Sequence, residues 1–426
     1  MHFGVISPPV SGHLHPFGAL GRELISRGHR VTLFHMTDLE GRARAEGLDF
    51  VPIGHRTHPA GTLPLSLKTL GTLDGLAALR FTVAEVRKTT EMMLCDGPDA
   101  IRSGGIQALL VDQTEPAGGT IADRLDIPFV TICNALNLNR EPEIPPPFTN
   151  WSNQRALWAR IRNQLGYAVS DYVLQPVRDI VAEFRKGWKL PAHSDPESSF
   201  STIAQISQQP PAFDFPRKRL PDTFHYVGPL RAPGPKKIDF PWEKLDGRDL
   251  VYASLGTLQN GKEQVFRTFA EACRAFPVQL VITHGGGLDE SVAESLPGDP
   301  LVVSYAPQLE VLARARLTLT HAGLNTVLDS LTHGVPLVAV PITYEQPAIG
   351  RRILWSGSGK VVPFRRLTVE RVREVIREVL SNASYRESAR MVQRSIEQAG
   401  GVRRAADLIE AALCRTSVHA SAQADA

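Results

Sequence analysis

The chain has 426 residues, with 47 basic and 44 acidic side chains and a formal net charge of +3. That length admits two or three domains around large cores. The balanced charge, with no long Lys/Arg block, argues against a nucleic-acid partner. Cys95, Cys133, Cys273 and Cys414 stand far apart with no Cys-x-x-Cys pair. This spacing points to reduced thiols in a cytoplasmic protein and against a structural zinc site. No apolar run reaches the ~18 residues of a membrane span, and MHFGVIS enters a strand with no signal peptide ahead of it.

In chain order, HFGVIS (2–7), a Pro/Gly loop, FGALGRELISRGH and RVTLFHM read as strand, helix, strand, a parallel βαβ unit. IQALLVD (106–112), PAGGTIADRLD and PFVTICN (128–134) repeat the pattern. The stretches 55–95 and 150–185 read as helical. The segment 228–249 has the Pro, Gly and Lys content of a linker. LVYASLGT (250–257) opens a second series, continued by VQLVITH, PLVVSYA, RLTLTHA and PLVAVP. The expected organisation is a first domain over 1–230, a linker over 231–249 and a second domain over 250–413. The tail, 414–426, is small and polar and is expected to lack structure. The fold class is α/β, with two doubly wound Rossmann-like halves facing a cleft; in such sheets ligands sit at the carboxyl ends of the strands.

The stretch THAGLNTVLDSLTHGVPLVAVPITYEQP (320–347) carries the densest chemistry. Leu324, Val327, Leu328 and Leu331 recur at helical spacing, and LVAVP suits a fully buried strand. His321, Asn325 and Asp329 stand four residues apart, on one face. Free backbone amides around Gly323, with Asn325 and Thr326, make a helix N-terminus suited to an anion. Gly323 also permits close backbone approach. His321 adds a hydrogen-bond donor, charged or neutral. Asp329 can accept from a ribose hydroxyl, and Glu345 and Gln346 can read sugar hydroxyls. Upstream, Tyr305 offers an aromatic face near Gln308. Ser254, Gly256 and Thr257 form a second polar loop, and HGGG (284–287) reads either as a tight turn or as backbone of the same site. A lone Asn or Thr at a helix start is usually only a cap, and Asp329 alone reads as a solvated residue. The whole ordered set is what argues for a binding site.

This ordered set resembles the signature of family-one nucleotide-sugar glycosyltransferases, which have the two-Rossmann GT-B fold. Tyr305, Gln308, His321, Gly323, Asn325, Thr326, Asp329, Gly334, Pro336, Glu345 and Gln346 follow the motif in order, with Tyr for the usual Trp and Asp for the usual Glu. The resemblance implies that Tyr305 stacks on the base, with Gln308 by the nucleoside. Asp329 would bind ribose, and His321, Asn325 and Thr326 the diphosphate. Glu345 and Gln346 would bind the sugar. It also implies a C-terminal helix that returns to the N-terminal domain.

In the first half, PPVSGHLHP (8–16) places His13 at the family's position for a catalytic base, and Asp112, ending IQALLVD, resembles its partner acid. Histidine can take a hydroxyl proton near neutral pH, and a carboxylate on the other ring nitrogen fixes its tautomer. His15, two residues on, reads as a loop or cap residue. VDQTEPAG, NALNLNREP and DFPRKRLPDTFHYVGPLR look like bacterial zeaxanthin glucosyltransferases. The implied reaction is inverting transfer of glucose from UDP-glucose to a hydrophobic alcohol such as a carotenoid, with a nucleotide-sugar co-substrate but no metal or cofactor. A polyketide, macrolide or flavonoid acceptor is the alternative. The segment 64–79 is apolar enough to line such a pocket, or to be ordinary core. In 151–169, Trp158, Ile161 and Leu165 share a face among Arg155, Arg160 and Arg162. That pattern fits a normal amphipathic helix or peripheral membrane contact. A nucleotide-sugar epimerase would not need the His13–Asp112 pair, nor would a non-catalytic binding module. A nicotinamide dehydrogenase would need a Gly-x-Gly-x-x-Gly that neither first loop has.

Overall fold

A computed structural model describes residues 1–73, 75–232, 238–257 and 259–424, with side chains as far as residue 415. The strands are β1 (His2–Ile6), β2 (Arg30–His35), β3 (Asp49–Pro52), β4 (Ala108–Asp112), β5 (Phe129–Cys133), β6 (Gln205–Ser207) and β7 (Phe224–Tyr226) in the first half. The second half holds β8 (Asp249–Ser254), β9 (Val278–Thr283), β10 (Leu301–Val303), β11 (Ala315–Thr320), β12 (Leu337–Ala339) and β13 (Gly359–Val361). They form two wholly parallel sheets, ordered β3-β2-β1-β4-β5-β6-β7 and β10-β9-β8-β11-β12-β13. Strands covered by helices on both faces are apolar throughout, which is why ALLVD and VIT read as unbroken runs.

Strand order reverses between β1 and β4, paired Phe3↔Ala108 to Ile6↔Val111, and again between β8 and β11, paired up to Ser254↔Thr320. The loops leaving these strands open into a crevice at each switch point. His13 and Asp112 lie at the first crevice, and Ser254 and His321 at the second.

The linker stretch is not slack where it is described. Phe240 is buried with Leu250 and Tyr252 in the second half's core, and Arg314 stacks 3.9 Å over Trp242. Residues 233–237 lie outside the described residues. The last helix, Gly401–Ala424, returns to the first half. Val402, Ala405, Ala406, Ile409, Ala412 and Leu413 join its core, while Arg27 pairs with Asp407 and Glu410 at 2.7 and 2.8 Å. The backbone of this helix runs on through Ala424. Residues 425 and 426 lie outside the described residues. In the stretch 150–185, helix begins only at Leu157 and runs in two segments, Leu157–Val173 and Gln175–Gly187.

A buried ion cluster joins the halves. Asp214, just after the first sheet's β6, accepts from Arg352 at 2.9 Å, Arg217 at 3.0 Å, Asn137 at 3.0 Å and the Tyr226 hydroxyl at 2.9 Å. Burial alone would raise its carboxyl, but the two guanidiniums hold it far below the usual carboxylate range. Arg352 belongs to helix Gln346–Ser356, so this cluster fixes the helix that begins at Gln346 against the first half.

Candidate active site

His13 lies in the first turn of helix Ser11–Ser26, which leaves β1 with no side-chain cap. Its Nδ1 meets Asp112 Oδ2 at 2.8 Å, and its side chain remains 19 % exposed while that of Asp112 is fully buried. Asp112 ends β4 and gathers further hydrogen bonds. Asn134 Nδ2 donates to Oδ2 at 2.9 Å, and the Thr114 backbone N–H and hydroxyl donate to Oδ1 at 2.9 and 2.6 Å. Burial opposes the ionised carboxylate, but His13 and Thr114 outweigh it and hold it below its ordinary value. Burial likewise lowers the His13 imidazole; the charge and hydrogen bond of Asp112, helped by Glu345 and Glu115, lift it above 6.5. With Nδ1–H donated to Asp112, neutral His13 carries its lone pair on Nε2, the arrangement of a general base held in one tautomer. His15, by contrast, is bonded to Glu46 and is largely exposed.

The second crevice centres on His321. It is buried, burial pushes its imidazole down to about 4, and it is therefore neutral. Its ring lies against two glycines: a Cβ on Gly256 or Gly323 would stand 2.9 or 2.6 Å from the imidazole Cε1. Between them, buried Ala322 holds φ at 67°, a costly conformation for a residue with a Cβ. Helix Leu324–Thr332 follows, with Gly323 at its N-cap and no side chain capping its first amides. Thr326 is buried in its first turn. Ser254 Oγ accepts from the Gly256 N–H at 3.3 Å, and Thr257 is exposed on the same loop. Tyr305 is 60 % exposed, free on its face, and its hydroxyl donates to the Gly285 carbonyl at 3.3 Å. That carbonyl also accepts from Asn260 Nδ2 at 2.9 Å, so the HGGG turn packs against both Tyr305 and the loop after β8.

The second half's polar residues reach across the cleft. Asn325 Nδ2 donates to the Gly12 carbonyl at 2.7 Å, and its Oδ1 accepts from Gln208 Nε2 at 3.1 Å. Glu345 accepts from the Leu136 N–H at 3.0 Å; burial raises its carboxyl. Gln346 uses its Oε1 locally, accepting from the Ile342 and Thr343 N–H groups at 2.8 and 2.9 Å. Asp329 is shared: Gln308 Nε2 donates to Oδ2 and Arg231 Nε to Oδ1, each at 2.6 Å, while the Tyr252 hydroxyl donates to Gln308.

Sequence reasoning did not single out Arg231, Gln208, Asn134 or Glu115. Asn134 carried a readable sign, a polar residue just past the carboxyl end of an apolar strand. Glu115 is buried with an unpartnered Oε1, and burial, with the Asp112 charge beside it, pushes its carboxyl up to about 8.

A His–Asp pair at one switch point thus faces an uncapped helix terminus and a glycine-seated histidine at the other. The family model for "UDP-glucoronosyl and UDP-glucosyl transferase" matches residues 99–399, and the chain belongs to that family of glycosyltransferases. It is 34 % identical to the zeaxanthin glucosyltransferase of Pantoea ananas over 97 % of this chain and 96 % of that one. With the zeaxanthin glucosyltransferase of Pseudescherichia vulneris it shares 32 %, over 97 % and 98 %. The crystal structure of CalG4, the calicheamicin glycosyltransferase, superposes with a TM-score of 0.76 at 24 % identity, covering 97 % of this chain and 98 % of that one. The GT-B fold is thus shared across nearly the whole chain. Its substrates are a nucleotide-sugar and an acceptor.

Proposed function

We propose that the protein transfers glucose from UDP-glucose, with inversion, to a hydroxyl of a hydrophobic acceptor, most closely a carotenoid such as zeaxanthin. The observation that carries this reading is the Asn325–Gly12 hydrogen bond, which sets the helix terminus assigned to the diphosphate one residue from His13. His13 Nε2 takes the acceptor's proton as the acceptor oxygen bonds to the anomeric carbon. The bond from that carbon to the diphosphate breaks, and UDP leaves with the electron pair. Asp112 stabilises the imidazolium that forms, and the uncapped first-turn amides from Leu324 meet the charge on the leaving diphosphate. Attack from the face opposite the leaving group inverts the anomeric centre. Tyr305 stacks on the base, Gln308 and Asp329 hold the nucleoside, and Ser254, Gly256, Thr257, His321, Gly323, Asn325 and Thr326 surround the phosphates. Glu345 and Gln346 read the sugar. No metal or cofactor takes part in this reading.

The relatives named as zeaxanthin glucosyltransferases support the acceptor class. Among the described residues no helix is long and apolar enough to cross a membrane. A cytoplasmic enzyme must then meet a lipid-dissolved acceptor at the surface. Helix Leu157–Val173 suits that: Leu157, Ile161, Leu165 and Val169, at steps of four, are all at least half exposed, with Trp158 and Tyr172 beside them and arginines between. Liposome flotation tests the contact: Ile161→Glu with Leu165→Glu should abolish co-flotation without lowering the melting temperature, and undiminished flotation would refute it.

A macrolide acceptor, with the same fold and chemistry, is the second reading. Product formation from UDP-glucose across zeaxanthin in detergent, a flavonol, a macrolide and a simple sugar separates the two. Glucosylation of the sugar alone would overturn the hydrophobic-acceptor reading.

A further inference from the structure

Arg231 stands on the connection between the halves, yet its side chain belongs to the second crevice. Its Nε donates to Asp329 Oδ1 at 2.6 Å, Nη2 to Asn325 Oδ1 at 3.1 Å, and Nη1 to Gln208 Oε1 at 3.3 Å and to the Leu230 carbonyl at 2.9 Å. It thus holds one acceptor atom on each of two residues that the proposed reaction assigns to the nucleotide sugar. The crevice also has a charge problem. His321 is neutral, and Asp329 places a carboxylate on the same helix whose N-terminus is to receive anionic phosphates. Helix amides contribute only partial positive charge.

We propose that Arg231 is a ligand of the nucleotide diphosphate and, in the ligand-free chain, an internal occupant of its site. The inference rests on the reading of the second crevice as the nucleotide-sugar site. When the nucleotide enters, the guanidinium exchanges the Asp329 carboxylate for phosphate oxygens, which its planar fork fits equally well. Asp329 Oδ1 is then free to accept from a ribose hydroxyl, and Asn325 Oδ1 from the sugar or a phosphate-bound water. Asp329 Oδ2 keeps its hydrogen bond from Gln308 at both stages. The ribose contact therefore becomes available only to a ligand that carries phosphates. A nucleoside must compete with Arg231 for Asp329 and gains nothing in return.

A purely structural latch would behave differently. If Arg231 only tied the linker to the second half, removing it would weaken every ligand of the crevice alike. The test is calorimetry with two probes, UDP and uridine, on the wild type, Arg231→Gln and Arg231→Lys, at low and high salt. UDP binding should weaken about 10- to 100-fold in Arg231→Gln, as for the loss of hydrogen bonds to a charged group. It should weaken less in Arg231→Lys, which keeps the charge without the fork. Uridine should bind Arg231→Gln as well as the wild type or better, because Asp329 is no longer occupied. The salt dependence of UDP binding should be shallower in Arg231→Gln, since one charged contact is gone. Parallel losses for UDP and uridine would overturn the proposal, as would unchanged UDP affinity in both variants. Failure of the wild type to bind UDP would instead refute the nucleotide-sugar site itself, and the role of Arg231 with it.

Discussion

The Nδ2 of Asn325 occupies the carbonyl of Gly12 at 2.7 Å, and Pro16 is the reason that carbonyl is there to be taken. In helix Ser11–Ser26 the residue at 16 would ordinarily donate its N–H to the carbonyl four back. Proline has none, so the Gly12 oxygen faces the cleft and receives a donor from the other half. A residue usually costly inside a helix thereby couples the loop of the base to the helix that meets the diphosphate.

Pro16→Ala should restore the helical N–H and set it in competition with Asn325. We expect a protein at least as stable to heat, because an interior helical proline is replaced by the best helix former, with lower turnover at saturating sugar nucleotide. Thermal melts and steady-state rates check this. Equal stability gain with unchanged turnover would separate the Asn325 contact from catalysis.

Protonation of His13 should be visible in the pH profile. Its imidazole is held above 6.5 and must be neutral to act as base, so turnover should rise with pH along a limb whose midpoint lies above 6.5. The Asp112 charge is the chief cause of the elevation. Asp112→Asn should therefore move the limb to lower pH while reducing maximal turnover, because the imidazolium loses its counter-charge. A limb that moves upward, or stays in place, would contradict the coupling.

How much of this site was legible in the chain differs by residue. Asn325 and Asp329 could be placed on one helix because helical spacing is local, and Asp112 because parallel strands end where their apolar run ends. His321, expected on the same face, instead stands ahead of the helix, because Ala322 turns left-handed and Gly323 is the N-cap. Contacts across the cleft were not legible. Arg231 and Asp329 are 98 positions apart, and Leu136 and Glu345 are 209 apart. Nothing local distinguishes that arginine from the other basic residues of a Pro/Gly-rich connection. The protonation of His321 was open in the sequence as well, since burial decides it and burial is a tertiary property.

Gly323→Ala should weaken sugar-nucleotide binding without unfolding the chain. The new methyl would stand 2.6 Å from the ring of buried His321, so the ring or the helix start must shift. We expect UDP affinity to fall at least about tenfold with only a modest loss of stability, a 1.4 kcal/mol change in binding. Retained affinity would show that the glycine serves the turn rather than the ligand.

Glu115 predicts a stability effect with a definite sign. Its folded-state carboxyl stands at about 8, above the 4.5 of an exposed glutamate. Protonation thus favours the folded chain: the contribution is fully present below 4.5 and is lost as pH rises through about 8. Glu115→Gln removes the titration, so its melting temperature should fall less than that of the wild type between pH 5 and 9. Parallel curves would mean that the carboxyl is not buried as a neutral acid.

The central claim is that His13 is the base for sugar transfer between the two crevices. The most direct measurement compares wild type with His13→Ala, following UDP release from UDP-glucose and glucoside formation on detergent-dispersed zeaxanthin, with UDP affinity measured alongside. The account predicts glucoside from the wild type, a loss of roughly 100- to 10,000-fold in turnover for the variant, and unchanged UDP affinity. Near-normal glucoside formation by His13→Ala would contradict it.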